Sequence, residues 1–168
     1  LIDTFVDKGR CDFTADFAQV FPIRIFMKLM GVPMDDAASI KMWAESMTRP
    51  QPVMPFEDAK AAFFAYVGPM IKARRTKPGD DLISRIVSAD AGGRTLDDDE
   101  AISIVTQVLI AGVDTVVNFL SFAMLHLARH QDLAAELAAS DSRAVLTATH
   151  EIFRRFGLGM RRAKYPLR

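Results

Sequence analysis

Apolar residues recur along this chain at helical spacing and almost nowhere in the strict alternation of a half-buried strand. Thr14 or Asp16 can cap a short first helix. Pro22 suits the first turn of a second, where its missing N–H costs nothing. Ile23, Phe26, Met27 and Met30 then follow at helical intervals until Gly31-Val32-Pro33 stops the run. A third helix is expected over about Asp35 to Met47. The stretch Arg49-Pro50-Gln51-Pro52-Val53-Met54-Pro55 is a loop, because its prolines cannot share a helix. Phe56 to Arg75 is helical again, with Phe63, Val67, Met70 and Ile71 on one face and Pro69 as a candidate kink.

Lys77-Pro78-Gly79 is a turn, after which Asp80 or Asp81 can cap a short helix running to Ser88. Ala91-Gly92-Gly93 is the best hairpin loop in the sequence. Asp97 with Glu100 three positions on forms a capping box, Asp standing where Ser or Thr is usual. The dominant element follows, roughly Asp98 to His130, about 50 Å long at the helical rise. Its middle is apolar on nearly every face, the pattern of a helix buried all round as a domain's central axis. Leu133 to Ala139 and Arg143 to Phe156 complete the set. The fold expected is mainly α, built on a long buried central helix, with no internal repeat or low-complexity tract.

Length and charge narrow the classes. With 168 residues, half of them apolar, one domain with a real core is possible. The 21 basic residues cancel 21 acidic ones, so no overall field draws the chain to nucleic acid or an anionic membrane. The most apolar stretch, Ile102 to Leu127, is interrupted by Gln107, Asp114 and Asn118, short of the roughly 18 uninterrupted residues of a spanning helix. No signal-peptide pattern opens the chain, and one cysteine excludes an internal disulfide, which fits a reducing cytoplasm. Leu1 at one end and Lys164-Tyr165-Pro166-Leu167-Arg168 at the other read as cut.

Four groups of residues are candidates for chemistry. Ala111-Gly112-Val113-Asp114-Thr115 places a carboxylate and a hydroxyl in the middle of the apolar helix. A buried carboxylate needs a partner, a changed pKa or water. Gly112 lowers helix propensity by about 1 kcal/mol relative to Ala, which suggests that something needs room against the backbone. The plainer reading has Thr115 bonding back to the preceding turn and Asp114 pairing with a neighbouring Arg. Glu151 and Arg154 are spaced to meet on one helix face, as an ordinary surface pair would. His126 and His130 could share a metal but lack an obvious third ligand; a helix end that welcomes positive charge is the plainer account. Cys11 has neither a paired His nor a Gly-rich loop around it, which argues against a nucleophile. No Gly-x-Ser-x-Gly or phosphate loop is present. Arg74-Arg75, Arg154-Arg155 and Arg161-Arg162 read as solvated basic clusters.

Taken in order, these motifs resemble the cytochrome P-450 family: Ala-Gly-Val-Asp-Thr on a long apolar helix, then Glu151-Ile152-Phe153-Arg154. Pro78-Gly79-Asp80-Asp81-Leu82-Ile83-Ser84 resembles the segment before that helix in bacterial members. Phe21-Pro22-Ile23-Arg24-Ile25-Phe26, ending in Gly31-Val32-Pro33, resembles an earlier helix. Thr115-Val116-Val117-Asn118-Phe119-Leu120-Ser121-Phe122 and Met47-Thr48-Arg49-Pro50 are similar to the camphor-hydroxylating bacterial branch. The resemblance covers essentially the whole chain and makes residues 1–168 one partial domain, truncated at both ends.

The resemblance implies a soluble, cytoplasmic monooxygenase that binds haem b. It would activate dioxygen and hydroxylate a small, mostly apolar organic substrate, taking electrons from a ferredoxin-like or flavoprotein donor. It places the long helix across the distal face of the haem, with Ala111 and Gly112 making room for dioxygen. Thr115 would hydrogen-bond the activated oxygen, and Asp114 would relay protons from water. Gln107 and Ile110 would look into the substrate pocket, with Thr48 and Phe56 by weaker analogy. Gln107 fits poorly with a camphor-like substrate. Glu151 and Arg154 match the family's buried structural pair, and Arg161 or Arg162 would meet a haem propionate. The family's iron ligand is a cysteine in a Phe-x-x-Gly…Cys-x-Gly loop. Cys11 is not in that context, so the chain alone has no metal ligand and is expected to be inactive. Two readings from other classes stand beside this one. A haem-free helical binding or scaffold domain predicts a plain salt bridge at Asp114, and a lipid-binding bundle predicts a continuous apolar groove.

Overall fold

The computed structural model describes residues 1–49 and 51–156. Among these residues seven α-helices follow one another: α1 (Phe21–Met30), α2 (Ala37–Thr48), α3 (Phe56–Thr76), α4 (Leu82–Val87), α5 (Asp98–Arg129), α6 (Gln131–Ala138) and α7 (Ser142–Phe156). Among the described residues there is no strand; the hairpin expected at Ala91-Gly92-Gly93 is one antiparallel bridge, Asp90 to Thr95. Gly92 and Gly93, both at positive φ, turn the chain there. The chain divides into two compact units, residues 19–114 and residues 1–18 with those from 115 onward.

In the unit of residues 19–114, α1 to α4 and the first part of α5 enclose an apolar core. On α3 the buried stripe is Ala59, Phe63, Val67 and Ile71, one residue per turn. Met70, expected on that stripe, packs against the core only partly buried. Phe63 is fully buried, with Phe26 at 6.4 Å and Trp43 at 6.0 Å between ring centroids. Pro69 lies within α3, which continues to Thr76.

Local chemistry sets the helix ends. Gly31 adopts φ 66° after α1, and Val32 N–H donates to the Met27 carbonyl in a Schellman-type close. Of the two candidate caps for α4, Asp81 is the one used: its Oδ1 accepts from Ser84 N–H and Ser84 Oγ–H, both at 2.8 Å. Its Oδ2 accepts from Arg74 Nε–H at 2.6 Å. Asp80 instead pairs with Arg85 at the surface. Burial would raise the Asp81 pKa, but the Ser84 donors and the Arg74 guanidinium hold it below the usual carboxylate range. This lowered pKa stabilises the fold above the unfolded carboxylate value of about 4, and the contribution fades as pH falls through the folded one.

The basic pair Arg74-Arg75, read from sequence as a solvated face, is structural. Arg75 donates to Asp98 at 2.7 Å and to the Leu96 carbonyl at 2.5 Å, tying the end of α3 to the start of α5. The short helix expected from Thr14 is a π-helical turn, Thr14–Ala18, and its cap is Asp12, whose Oδ1 accepts from Ala15 N–H. Asp16 points back to accept from Asp12 N–H. The capping box at α5 forms as read: Glu100 N–H donates to Asp97, and Asp97 N–H to Glu100. Arg94 adds two hydrogen bonds to Glu100, holding its carboxyl down to about 2.

A Cβ on Gly31 would meet Asp81 Oδ2 at 2.7 Å, and that carboxylate is pinned by its three donors. Gly31→Ala is therefore expected to cost about 2 kcal/mol or more: a left-handed Ala plus a weakened hydrogen bond. Urea unfolding measures this, and an unchanged midpoint would contradict the packing described.

The long helix is present, but its burial within this chain is one-sided. Ala101, Ile102, Val105, Thr106, Leu109 and Val113 are buried along one stripe, whereas Ile104, Gln107, Ala111 and Gly112 are exposed. Further along, Phe122, Met124 and Leu125 are exposed as well. The expectation of a helix covered on every side is thus met by composition and not by the contacts of these residues. By length and composition α5 is the one described helix apolar enough to cross a membrane, its central window having mean hydropathy 1.9 despite the polar interruptions.

Candidate active site

The site is built from the middle of α5. Asp114, half-buried, lies 3.6 Å from Arg49 Nη2, and the same guanidinium lies 3.1 Å from Glu45. One cation therefore serves two carboxylates. Glu45 is the nearer, being fixed one helical turn before Arg49, which follows directly on α2. The longer separation to Asp114, with Arg49 39% exposed, marks a loose pair in reach of solvent, worth at most about 1 kcal/mol. Arg49 is thus the neighbouring arginine that the plainer reading of Asp114 called for.

Gly112 is exposed, and a Cβ built on it would meet nothing within 4 Å. The room expected against the helix backbone exists. Ala111 beside it is also exposed. Thr115 lines a cavity of about 270 Å³ with Val116, Phe119 and Phe153. Three of these four side chains are apolar, so the cavity beside Thr115 is largely apolar. Phe119 and Phe153 meet at 5.1 Å between ring centroids and form one wall. Phe153 was missed by sequence reasoning, although it lies between Glu151 and Arg154, and an apolar residue inside that pair was the available signal.

The remaining candidates are placed one by one. Ile110 is partly buried against the core of residues 19–114, and Gln107 is exposed one turn before Ala111. Thr48 donates its hydroxyl to the Ala44 carbonyl at 2.8 Å, and Phe56 opens α3 with 45% of its surface exposed. Glu151 and Arg154 form the expected pair, with hydrogen bonds of 2.7 and 2.5 Å. The resemblance implies a buried pair. The pair is not buried: its side chains are 61% and 66% exposed, because α7 turns this face to solvent. Arg154 holds the Glu151 carboxyl below its usual range even so. Arg161 and Arg162 lie outside the described residues. Cys11 is exposed.

The family model described as cytochrome P-450 matches residues 40–150, from α2 into α7. The putative cytochrome P-450 133B1 of Xylella fastidiosa is 35% identical over 162 residues, covering 92% of this chain and 40% of that protein. The solved structure of CYP101J2 superposes with a TM-score of 0.83 at 44% identity, over 92% of this chain and 38% of that one. The polyketide biosynthesis cytochrome P-450 PksS of Bacillus subtilis superposes equally well, TM-score 0.83, at 29% identity. The chain spans about two fifths of the length of these relatives. Within that span its helices, its mid-helix Gly-x-Asp-Thr and its Glu-x-x-Arg pair occur together, and the chain belongs to the cytochrome P-450 family.

Proposed function

We propose that this chain is the distal-side portion of a haem monooxygenase that hydroxylates a small, mostly apolar organic substrate with dioxygen. The observation that carries the reading is the middle of α5, where a glycine with open space beside it shares one helix turn with a carboxylate and a hydroxyl. The residues present fit the distal side of a haem: Gly112 leaves room against the backbone, and Thr115 lines a largely apolar cavity. A thiolate to hold its iron is not among them, since Cys11, the one cysteine, is exposed and outside a Cys-x-Gly context. When bound, haem b supplies the redox-active iron that activates dioxygen.

The chain's own residues then supply position and protons. Ala111 and Gly112 keep the helix surface low where dioxygen sits. The Thr115 hydroxyl holds a proton beside that space, and Asp114 replaces it from water. Arg49 lies beside Asp114 as an ion-pair partner at 3.6 Å and shares its guanidinium with Glu45. Gln107 and Ile110 face substrate, with Thr48 and Phe56 at its edge, and the polar Gln107 favours a substrate carrying an oxygen function. Arg161 or Arg162 would hold a haem propionate. Electrons come from a ferredoxin-like or flavoprotein donor. Residues 1–168 form part of one domain of a cytoplasmic protein, and the face of α5 that carries Ile104, Gln107, Ala111 and Gly112 is covered by haem, substrate and the rest of that domain, with no role for membrane or nucleic acid. A haem-free scaffold predicts a plain salt bridge at Asp114, which the Arg49 pair satisfies equally; the open space at Gly112 is what favours the haem-binding reading.

The test is Thr115→Ala in the full-length protein. Oxygen consumption is expected to continue while most of the reducing power goes to peroxide and not to product, with the carbon monoxide difference spectrum unchanged. An unaltered ratio of product to oxygen consumed would sink the assignment.

A further inference from the structure

At the C-terminal end of α5, His126 and His130 stand one turn apart with ring centroids 4.2 Å from each other. His130 has left the helix, at φ −129° and ψ 74°, and its ring folds back so that Nδ1 lies 2.8 Å from the His126 carbonyl. A carbonyl can only accept, so Nδ1 carries the hydrogen, and in the neutral ring the lone pair is at Nε2. A ring N–H held by a carbonyl is the outer-shell arrangement that fixes the tautomer of metal-binding histidines. The ring of His126 is set by Phe156, 5.2 Å away between centroids. Both rings line a cavity of about 220 Å³, open to solvent on the His130 side, with room for an ion and its water. The carbonyl end of a helix also favours a cation.

We propose that His126 and His130 form a chelating site for a borderline divalent ion of the zinc, nickel or copper class, held through both Nε2 atoms with water completing its shell. Imidazole selects these ions over magnesium or calcium. No cluster of three metal-binding side chains occurs among the described residues, so this is a two-ligand, water-rich site and not a closed structural one. Arg129 and Arg155 line the same cavity and oppose the ion, which gives the site a characteristic response to charge removal. It is distinct from the cavity at Thr115, with which it shares no lining residue.

The test follows the imidazole proton resonances of the full-length protein during zinc titration, with those of His126, His130 and His150 assigned by single substitution, in a Cys11→Ser background that removes a competing thiol. His150 is the internal control, since the chain has three histidines. His126 and His130 are expected to shift together and saturate at one equivalent, with His150 unmoved. His126→Ala, which leaves the His130 cap in place, is expected to weaken binding at least about tenfold, a difference of about 1.4 kcal/mol. Arg155→Ala is expected to tighten binding several-fold, with helix content by circular dichroism unchanged in both variants. Three histidines shifting alike without saturation would overturn the proposal, as would full affinity in His126→Ala. It also fails if inorganic phosphate and not zinc moves the two rings saturably and Arg155→Ala abolishes that response, which would mark an anion site.

Discussion

Asp114→Asn in the full-length protein is expected to slow substrate turnover by about 100-fold or more, the scale of a lost proton-transfer group, while substrate binding stays near its original affinity. Asparagine keeps the shape of the side chain and can still accept from Arg49, but it cannot take a proton from water and pass it on. The solvent deuterium isotope effect on turnover should rise as proton delivery becomes limiting. A purely structural Asp114 makes a different prediction. The pair with Arg49 is loose and partly solvated, worth at most about 1 kcal/mol, so Asp114→Asn would then lower stability slightly and leave turnover within a few-fold. Arg49→Ala separates the two cases. It removes the same ion pair while sparing the carboxylate, and it is expected to retain most of the turnover that Asp114→Asn loses. Equal losses in the two variants would show that the ion pair matters and not the proton.

Much of this arrangement was legible in the sequence, for identifiable reasons. Helix ends were readable where a single residue type decides them: Gly31 needs its left-handed backbone, and the Asp97–Glu100 box needs only its own spacing. The anomaly of Asp and Thr beside Gly112 in an apolar helix was visible because burying such groups is costly. What stayed hidden depends on contacts distant along the chain. Arg74 and Arg75 read as a solvated pair because nothing local names Asp81, Asp98 or the Leu96 carbonyl as their partners. Arg49 lacked a role for the same reason: Asp114 is remote in sequence. The composition of α5 declares what the helix must be packed against, whereas its observed burial records only what residues of this chain pack against it. The exposure of Glu151 and Arg154 follows the same logic, since their spacing dictates that they meet each other and says nothing of what covers them.

The largest expected effect on stability lies away from the site, at Phe63. This side chain is fully buried where α3 faces Phe26 of α1 and Trp43 of α2, so removing its ring leaves a void that three helices would have to close. Close-packed interiors relax only partly around such a void. Phe63→Ala is therefore expected to lose about 3–5 kcal/mol, counting transfer and cavity terms together. That is a large share of the roughly 5–15 kcal/mol that holds a typical domain together. Trp43 is the only tryptophan, and its ring contacts Phe63, so urea unfolding followed by its fluorescence reports directly on this core. Leu146→Ala on α7, where the side chain is 57% exposed, should change stability by less than about 0.5 kcal/mol. If Phe63→Ala cost no more than Leu146→Ala, the packing of α1, α2 and α3 around this ring would be wrong, and with it the scaffold that holds Arg49 near Asp114.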